Sequence, residues 1–279
     1  MPFGSVVAAH CGGPISGLPY VCRKQFAMGF TIAVTGKGGV GKTTISALAV
    51  QWLVAQGETP VLAVDGDSNA NLNEALGISY EASVGGIREE SRETANTLVG
   101  VAKHEFLDLQ VQSALVEEKG YDLIVMGRPE GPGCYCFANN VLRDVIERLS
   151  SNYKHIVVDS EAGCEHVSRR TLLKIDYLLI VSDCTMRGVR TAKRIADLTE
   201  EMGTPVAKRG LIVNRVPGGI LPDGVLAEVE ATGLTLVKVI PADETVAAMD
   251  AGNAAVGDIA ANASARLAVN EMMGVIIGE

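Results

Sequence analysis

The chain carries a series of short apolar runs, each followed by a polar or glycine-rich turn. Apolar residues occupy consecutive rather than alternate positions in these runs, which is typical of strands that are buried on both faces of a sheet. Seven such strands are predicted: Thr31–Thr35, Pro60–Val64, Tyr121–Met126, His155–Val158, Tyr177–Ser182, Leu211–Val216 and Leu236–Ile240.

Segments with a helical composition lie between these runs. The pattern predicts helices at about Lys42–Gln56, Ala138–Leu149, Glu165–Lys174, Val189–Met202 and Val256–Met273. The more polar segment Leu72–Lys119 is expected to form mainly helices and loops. Strands that alternate with helices predict an α/β protein, with a mostly parallel sheet and helices on both faces. We expect residues 29–279 to form one such domain.

Residues 1–28 show no clear period, and we expect them to form a disordered extension rather than a signal peptide. The sequence contains no apolar run of about 18 residues, so no transmembrane helix is predicted. The net charge of −9 argues against nucleic acid as a partner. We therefore expect a cytoplasmic protein, bound neither to membrane nor to nucleic acid, in which the six cysteines are reduced.

A phosphate-binding loop is predicted from Gly36 to Thr44. Its sequence, GKGGVGKTT, matches G-x-x-x-x-G-K-[ST] and lies between a predicted strand and a predicted helix. Glycines allow successive backbone N–H groups to converge on phosphate oxygens. Lys42 is expected to contact the β- and γ-phosphates, and the Thr43 hydroxyl to bind Mg²⁺. The residues of the loop that we expect to bind ATP are Gly38, Gly39, Val40, Gly41, Lys42, Thr43 and Thr44.

Lys37 is an addition that an ordinary phosphate-binding loop does not need. With it, GKGGVGKTT resembles the deviant Walker A loop of MinD/ParA proteins, the nitrogenase iron protein and metallocentre-maturation ATPases. In that family the extra lysine reaches the nucleotide of the partner subunit. The resemblance implies an ATP-hydrolysing homodimer in which Lys37 stabilises phosphate charge in trans and Lys42 acts within its own subunit.

Acidic residues end two of the predicted strands. Asp65 and Asp67 follow the second strand, and the resemblance implies that Asp67 orients the attacking water, while a turn or capping role remains open for Asp65. Asp159 ends the strand that begins at His155 and is expected to accept a hydrogen bond from a Mg²⁺-bound water or from Thr43. The stretch Asp159–Gly163 resembles the family's switch II, the segment that changes conformation when the γ-phosphate leaves.

Three further residues are expected on the base side of the nucleotide. Asn214, in LIVNRV, resembles the family's adenine-contacting asparagine, whose amide can donate and accept hydrogen bonds at a purine edge. Pro241 and Asp243 lie in the loop that usually follows on this side.

Cys134 and Cys136 follow a Gly/Pro-rich loop and precede a predicted helix. Two thiolates cannot fill a four-coordinate site, but a two-fold dimer would bring four sulfurs together. Four sulfurs suit Zn²⁺, Ni²⁺ or an iron–sulfur cluster. Two incidental buried cysteines are the alternative. Cys164 and Cys184 stand alone, although Cys164 directly follows the predicted switch II.

The stretches GRPEGPGCYCFANNVLRDVI and DSEAGCEHVSRRT resemble CooC-type ATPases, which mature the nickel site of carbon monoxide dehydrogenase. The resemblance implies that Cys134 and Cys136 bind Ni²⁺ or Zn²⁺ across a dimer, with carbon monoxide dehydrogenase as the client. One alternative is an electron-transfer ATPase like the nitrogenase iron protein, which would use Cys134 and Cys164 and leave Cys136 without a role. The other is a positioning ATPase of the MinD/ParA type, a role that would not explain the cysteine pair.

Overall fold

Eight strands form a single sheet in the computed structural model, which describes residues 29–86, 113–128, 135–163, 174–252 and 254–278. In chain order the strands are β1 Phe30–Gly36, β2 Val61–Asp65, β3 Leu115–Glu118, β4 Tyr121–Val125, β5 His155–Asp159, β6 Ile175–Asp183, β7 Val206–Val216 and β8 Leu236–Pro241. Their order in the sheet is β3-β4-β2-β5-β1-β6-β7-β8, and every neighbouring pair is parallel except β3 with β4. The predicted α/β class with a mostly parallel sheet is confirmed.

Helices cover both faces of this sheet. They are α1 Lys42–Ala55, α2 Leu72–Leu76, α3 Tyr135–Leu149, α4 Met186–Glu201, α5 Asp223–Thr232, α6 Glu244–Gly252 and α7 Ser264–Gly278. Successive residues of one strand serve opposite faces: Val61 and Ala63 pack in the core with α1 and α7, whereas Leu62 and Val64 pack in the core with α3, α4 and α5. This double burial explains the uninterrupted apolar runs in the sequence.

The strand β3 was not predicted from the sequence, where helices and loops were expected in this region. Only Leu115 and Val116 are apolar, and the two glutamates that follow are exposed. The strand pairs antiparallel to β4 at the edge of the sheet, where charged residues are common, and Leu115 and Val116 pack against the cores on opposite faces.

The predicted helix Val256–Met273 was wrong in extent. A short 3₁₀ turn at Val256–Asp258 is followed by α7, which begins only at Ser264 and continues to Gly278. The Asp258 carboxylate accepts a hydrogen bond from the Ala255 N–H at 3.2 Å and closes the 3₁₀ turn locally. Helices α5 and α6 were not predicted. The predicted helix Glu165–Lys174, apart from its last residue, and the extension 1–28 lie outside the described residues.

The carboxyl ends of the parallel strands meet at one edge of the sheet. The central strand β1 lies between β5 and β6. Strands β2 to β5 all lie on one side of β1, and strands β6 to β8 lie on the other. Open α/β sheets bind ligands outside the strand ends at such a switch point. Across the described part of the chain, no helix has the length and apolar character needed to cross a membrane.

Candidate nucleotide-binding site

The loop between β1 and α1 requires glycine at specific positions. Gly39 and Gly41 adopt φ values of 77° and 92°, in the left-handed region that favours glycine. A Cβ on Gly36 would lie 2.3 Å from the carbonyl oxygen of Val181, and a Cβ on Gly41 would lie 2.5 Å from Nδ2 of Asn214. The loop leads directly into the N-terminus of α1, whose first turn carries no acidic residue and can receive an anion.

The two lysines of this loop lie in different environments. Lys42 is only 8% exposed, and its Nζ donates a hydrogen bond to the Lys37 carbonyl oxygen at 3.2 Å. Burial lowers the pKa of Lys42, and the carboxylates of Asp159, Asp67 and Glu161 oppose this shift. The side chain of Lys37 is exposed and forms no hydrogen bond or ion pair with the other described residues. Lys42 thus lies over the phosphate cradle, by which we mean the loop Gly36–Thr44, whereas the side chain of Lys37 faces outward.

Asp159 lies at the end of β5 and is held by two hydroxyl groups. Thr43 Oγ1 donates to Asp159 Oδ2 at 2.7 Å, and Ser46 Oγ donates to Asp159 Oδ1 at 3.1 Å. Burial raises the pKa of Asp159 to about 6, against the hydrogen bonds from Thr43 and Ser46 and the positive charge of Lys42. A hydroxyl beside a carboxylate, with no nitrogen or sulfur donor, is an oxygen donor set that fits Mg²⁺.

Asp65 lies beside Asp159 in the sheet register but has a different set of partners. Its carboxylate accepts the N–H of Asp67 at 3.0 Å and the N–H of Leu72 at 2.8 Å. Burial, and next the negative charge of Asp159, raise the pKa of Asp65 to about 7. Because both oxygens bind backbone groups, Asp65 closes the loop between β2 and α2, which agrees with the turn role left open from the sequence.

Asp67 lies in this loop, and its Oδ1 accepts both the N–H of Asn69 at 2.9 Å and the side-chain Nδ2 of Asn69 at 3.1 Å. Asn69 Oδ1 in turn accepts a hydrogen bond from Arg128 Nη2 at 2.9 Å. Asn69 and Arg128 were not predicted from the sequence, because an exposed amide in a turn and an arginine after a strand carry no motif.

The end of the predicted switch II, at Gly163, is hydrogen-bonded to the base of the phosphate-binding loop. The Gly163 N–H donates to the Gly36 carbonyl oxygen at 3.0 Å, and Thr35 Oγ1 donates to the Gly163 carbonyl oxygen at 2.9 Å. Gly163 has a φ of 94°, so the chain turns sharply at this point. Residues 164–173, including Cys164, lie outside the described residues.

A cavity of about 500 Å³ lies beside the loop, and Asn214, Pro241 and Asp243 all line it. Asn214 Nδ2 donates to the Val40 carbonyl oxygen at 2.8 Å, and Asn214 Oδ1 accepts the Arg215 N–H at 2.9 Å. An apolar cavity with a fixed amide at one side can accept a planar base. The rest of the wall is mainly apolar, from residues such as Ile45, Leu48, Ile240, Val246 and Val269.

The Asp243 carboxylate holds two helices in place. Oδ1 accepts the N–H of Thr245 at 2.9 Å and its hydroxyl at 2.5 Å, at the start of α6. Oδ2 accepts the hydroxyl of Ser264 at 2.8 Å and the N–H of Ala265 at 3.1 Å, at the start of α7. These bonds hold the pKa of Asp243 well below its usual range, with the Thr245 side chain as the largest cause. Asp243 therefore shapes the cavity wall.

Arg215 is a further residue of this cavity that was not predicted from the sequence. Its backbone has a φ of 57°, which is unusual outside glycine. Its Nη1 donates to the Gly39 carbonyl oxygen at 3.0 Å, and its Nη2 forms an ion pair with Asp250 at 2.9 Å. Arg215 thereby joins the phosphate-binding loop to α6, a contact between residues distant in the sequence.

The predicted thiol pair lies at the boundary of the described chain. Cys134 lies outside the described residues, and for Cys136, in the first turn of α3, only the backbone is described. Cys184 is a partly exposed free thiol, and burial, with the charge of Asp183 second, raises its pKa. Among the described residues, no group of three or more His, Cys, Asp or Glu side chains could hold a metal ion.

The model of the CobQ/CobB/MinD/ParA nucleotide binding domain matches residues 31–256. The chain belongs to this family. An uncharacterized ATP-binding protein of Methanocaldococcus jannaschii is 41% identical over 224 residues, which cover 78% of this chain and 87% of that protein. The carbon monoxide dehydrogenase accessory protein CooC of Rhodospirillum rubrum is 32% identical over 184 residues, or 62% of this chain and 70% of CooC.

Solved structures of family members have the same fold. The MinD cell division protein of Aquifex aeolicus superposes with a TM-score of 0.64 at 23% identity, covering 90% of this chain and 97% of that one. The ATP complex of a Cyanothece McdA variant superposes with a TM-score of 0.68 at 18% identity, covering 91% of this chain and 98% of that one. Together with the family match and the ATP-binding relatives, this makes the chain a P-loop ATPase of the MinD/ParA class.

Proposed function

We propose that this ATPase is a homodimeric metal-handling protein that uses Mg²⁺–ATP to control a Ni²⁺ or Zn²⁺ ion bound by Cys134 and Cys136. The ion would be cargo for a client enzyme, with carbon monoxide dehydrogenase as the proposed client. The observation that carries the proposal is the Cys-x-Cys pair at the start of α3, in a chain that is 32% identical to CooC over 184 residues.

On the phosphate side, the proposal assigns each residue a step in hydrolysis. The backbone N–H groups of Gly38–Thr44 bind the phosphates, Lys42 contacts the β- and γ-phosphates, and Asp67 orients a water for attack on the γ-phosphorus. The water oxygen bonds to the γ-phosphorus as the bond from the γ-phosphorus to the bridging oxygen breaks, which yields ADP and a phosphate that carries both protons of the water.

Two further groups complete the proposed phosphate site. Thr43 and Asp159 would hold Mg²⁺, which when bound neutralises charge on the β- and γ-phosphate oxygens. Lys37 would act on the nucleotide of a second copy, and its exposed side chain, without a partner among the described residues, supports this role.

On the base side, Asn214 would bind the adenine edge, and Pro241 and Asp243 would form the wall beside it. The Asn214 amide makes two hydrogen bonds to the protein and retains one N–H and one oxygen lone pair for the base. The domain is proposed to span residues 29–279.

For the metal, one Cys-x-Cys pair supplies two thiolates, so a tetrahedral ion needs the same pair from a second copy. Nucleotide and metal would then change each other's affinity by the same factor, because the two bind one assembly. Closure of the dimer on ATP brings the pairs together, and hydrolysis releases the ion to the client.

The decisive experiment is metal quantification with size analysis, in ATP and in ADP. Wild-type protein is expected to bind one Ni²⁺ or Zn²⁺ per dimer, and Cys134→Ser is expected to lose the metal while keeping ATP affinity within about twofold. Cys184→Ser is the matched control and should keep the metal. Unchanged metal stoichiometry in Cys134→Ser would refute the assigned ligand.

A positioning ATPase is the second candidate, because MinD of Thermotoga maritima is 27% identical over 226 residues. This function predicts a protein that binds neither Ni²⁺ nor Zn²⁺ in any nucleotide state. A brown, iron-containing protein after anaerobic purification would instead favour an electron-transfer ATPase with a cluster.

A further inference from the structure

The Asp67 carboxylate is oriented on one side only. Its Oδ1 accepts two hydrogen bonds from Asn69, one from the backbone and one from the side chain, whereas Oδ2 accepts none from the described residues. Asp67 is nevertheless close enough to Lys42 and Asp159 for its negative charge to raise the pKa of both groups. The carboxylate therefore has one oxygen bound within its own loop and a second oxygen that accepts no hydrogen bond from the described residues.

Asn69 is itself oriented by Arg128. The Arg128 guanidinium donates to Asn69 Oδ1 at 2.9 Å, while Asn69 Nδ2 donates to Asp67 Oδ1 at 3.1 Å. The opposite orientation of the amide would set its oxygen against the carboxylate and its NH₂ against the guanidinium, so only one orientation satisfies both neighbours. Arg128 thus orients the Asp67 carboxylate through the Asn69 amide, without a direct ion pair between the guanidinium and the carboxylate.

The loop that carries Asp67 has a conformation that needs such support. The Ala70 N–H donates to the Asp67 carbonyl oxygen at 3.1 Å, and Ala70 has a φ of 56°. A left-handed conformation at a residue other than glycine is unfavourable and persists only when surrounding contacts impose it. The segment that carries Arg128 is also held beside this loop. The Met126 N–H donates to the Asp65 carbonyl oxygen at 2.9 Å, which fixes the end of β4 beside the loop.

We infer that Asn69 and Arg128 are positioning residues for ATP hydrolysis: Arg128 orients the Asn69 amide, and Asn69 orients the Asp67 carboxylate toward the attacking water. This inference rests on the proposed role of Asp67. In this role neither residue would contact the nucleotide, so both would act on the rate of the chemical step rather than on ATP binding.

The test is steady-state ATP hydrolysis by the full chain. Asn69→Ala is expected to lower kcat about tenfold, and Arg128→Ala about threefold, with KM for ATP within about twofold of wild type. Arg128→Lys retains a donor and is expected to recover most of the loss. In the Asn69→Ala background, Arg128→Ala should have no further effect, because the guanidinium acts only through the amide.

The matched control is Arg143→Ala, which removes another partly exposed arginine, ion-paired to Asp144 at 3.2 Å on α3. It should leave kcat and KM unchanged. Thermal melting of each variant within a few degrees of wild type separates positioning from a loss of folding. Since Asn69 and Arg128 are both exposed, the variants of both residues should fold.

Asp67→Ala serves as the reference. If it abolishes hydrolysis while Asn69→Ala and Arg128→Ala both retain wild-type kcat, the positioning role is overturned and the role of Asp67 stands. Additive losses from Asn69→Ala and Arg128→Ala would also overturn it, because they would show independent effects. If Asp67→Ala retains kcat, the proposed role of Asp67 fails and the positioning role fails with it.

Discussion

The phosphate side and the base side of the cleft are built in different ways. On the phosphate side, buried or partly buried charged and hydroxyl groups (Lys42, Thr43, Ser46, Asp159) face one another within hydrogen-bonding or electrostatic reach. On the base side, a cavity of about 500 Å³ has largely apolar walls, and Asn214 is its fixed amide. Chemistry on a charged substrate requires particular side chains, whereas a flat base can be held by shape and a few polar contacts.

Removal of the Lys42 charge from the phosphate side is expected to have the largest effect and tests the difference between the two sides most directly. Lys42→Ala is expected to lower kcat by at least about a hundredfold, because no other described lysine reaches over the cradle. Circular dichroism and thermal melting should remain close to wild type. A variant that retains more than about a tenth of wild-type hydrolysis would show that the lysine is not needed for charge stabilisation.

Asn214→Ala tests the base side and should act on binding. We expect KM for ATP to rise about tenfold and kcat to change less than about threefold, because the proposed contact between the amide and the base is the same in the ground state and the transition state. Discrimination between ATP and GTP should fall in parallel. Because Asn214 also donates to the Val40 carbonyl oxygen at 2.8 Å, a kcat loss as large as that of Lys42→Ala would show that its main role is to hold the loop.

The smallest expected effect is on the pH dependence of stability. Burial raises the pKa of Asp65 to about 7 and of Asp159 to about 6, so between about pH 4 and pH 7 the folded state binds more protons than the unfolded state. These groups therefore stabilise the fold at low pH, and that contribution is lost as the pH rises through the folded values. The lowered pKa of His155 acts in the opposite direction.

Comparison with Asp159→Asn cancels the contribution of His155. From about pH 5 to about pH 8, in the absence of nucleotide, the wild type should lose about 1 kcal/mol or more of unfolding free energy relative to the variant. Urea unfolding at the two pH values measures this difference. An equal change in both proteins would contradict the raised pKa of Asp159.

The phosphate side could be predicted from the sequence because its parts are local. The loop Gly36–Thr44 contains the glycines and the lysine over the cradle, and the apolar runs locate Asp65 and Asp159 at strand ends. All of the predicted strands are present because double burial leaves a continuous apolar pattern.

The remainder depended on contacts between distant segments. Arg215 contacts Gly39 across 176 positions, and Arg128 contacts Asn69 across 59, so neither pairing has a local signal. The strand β3 has only two apolar residues because it lies at an edge, and the start of α7 is determined in part by Asp243, 22 residues before Ala265.

The hydrogen bonds of Asp243 to the starts of both α6 and α7 have a consequence for the shape of the cavity. Because one carboxylate binds the starts of both α6 and α7, withdrawal of α7 from the cavity would break the hydrogen bonds of Ser264 and Ala265 to Asp243. The base compartment should therefore keep its shape whether or not ATP is present, and little binding energy is lost in forming it. We therefore expect any rearrangement between the ATP and ADP states at the opposite end of the cleft, where the proposed hydrolysis takes place.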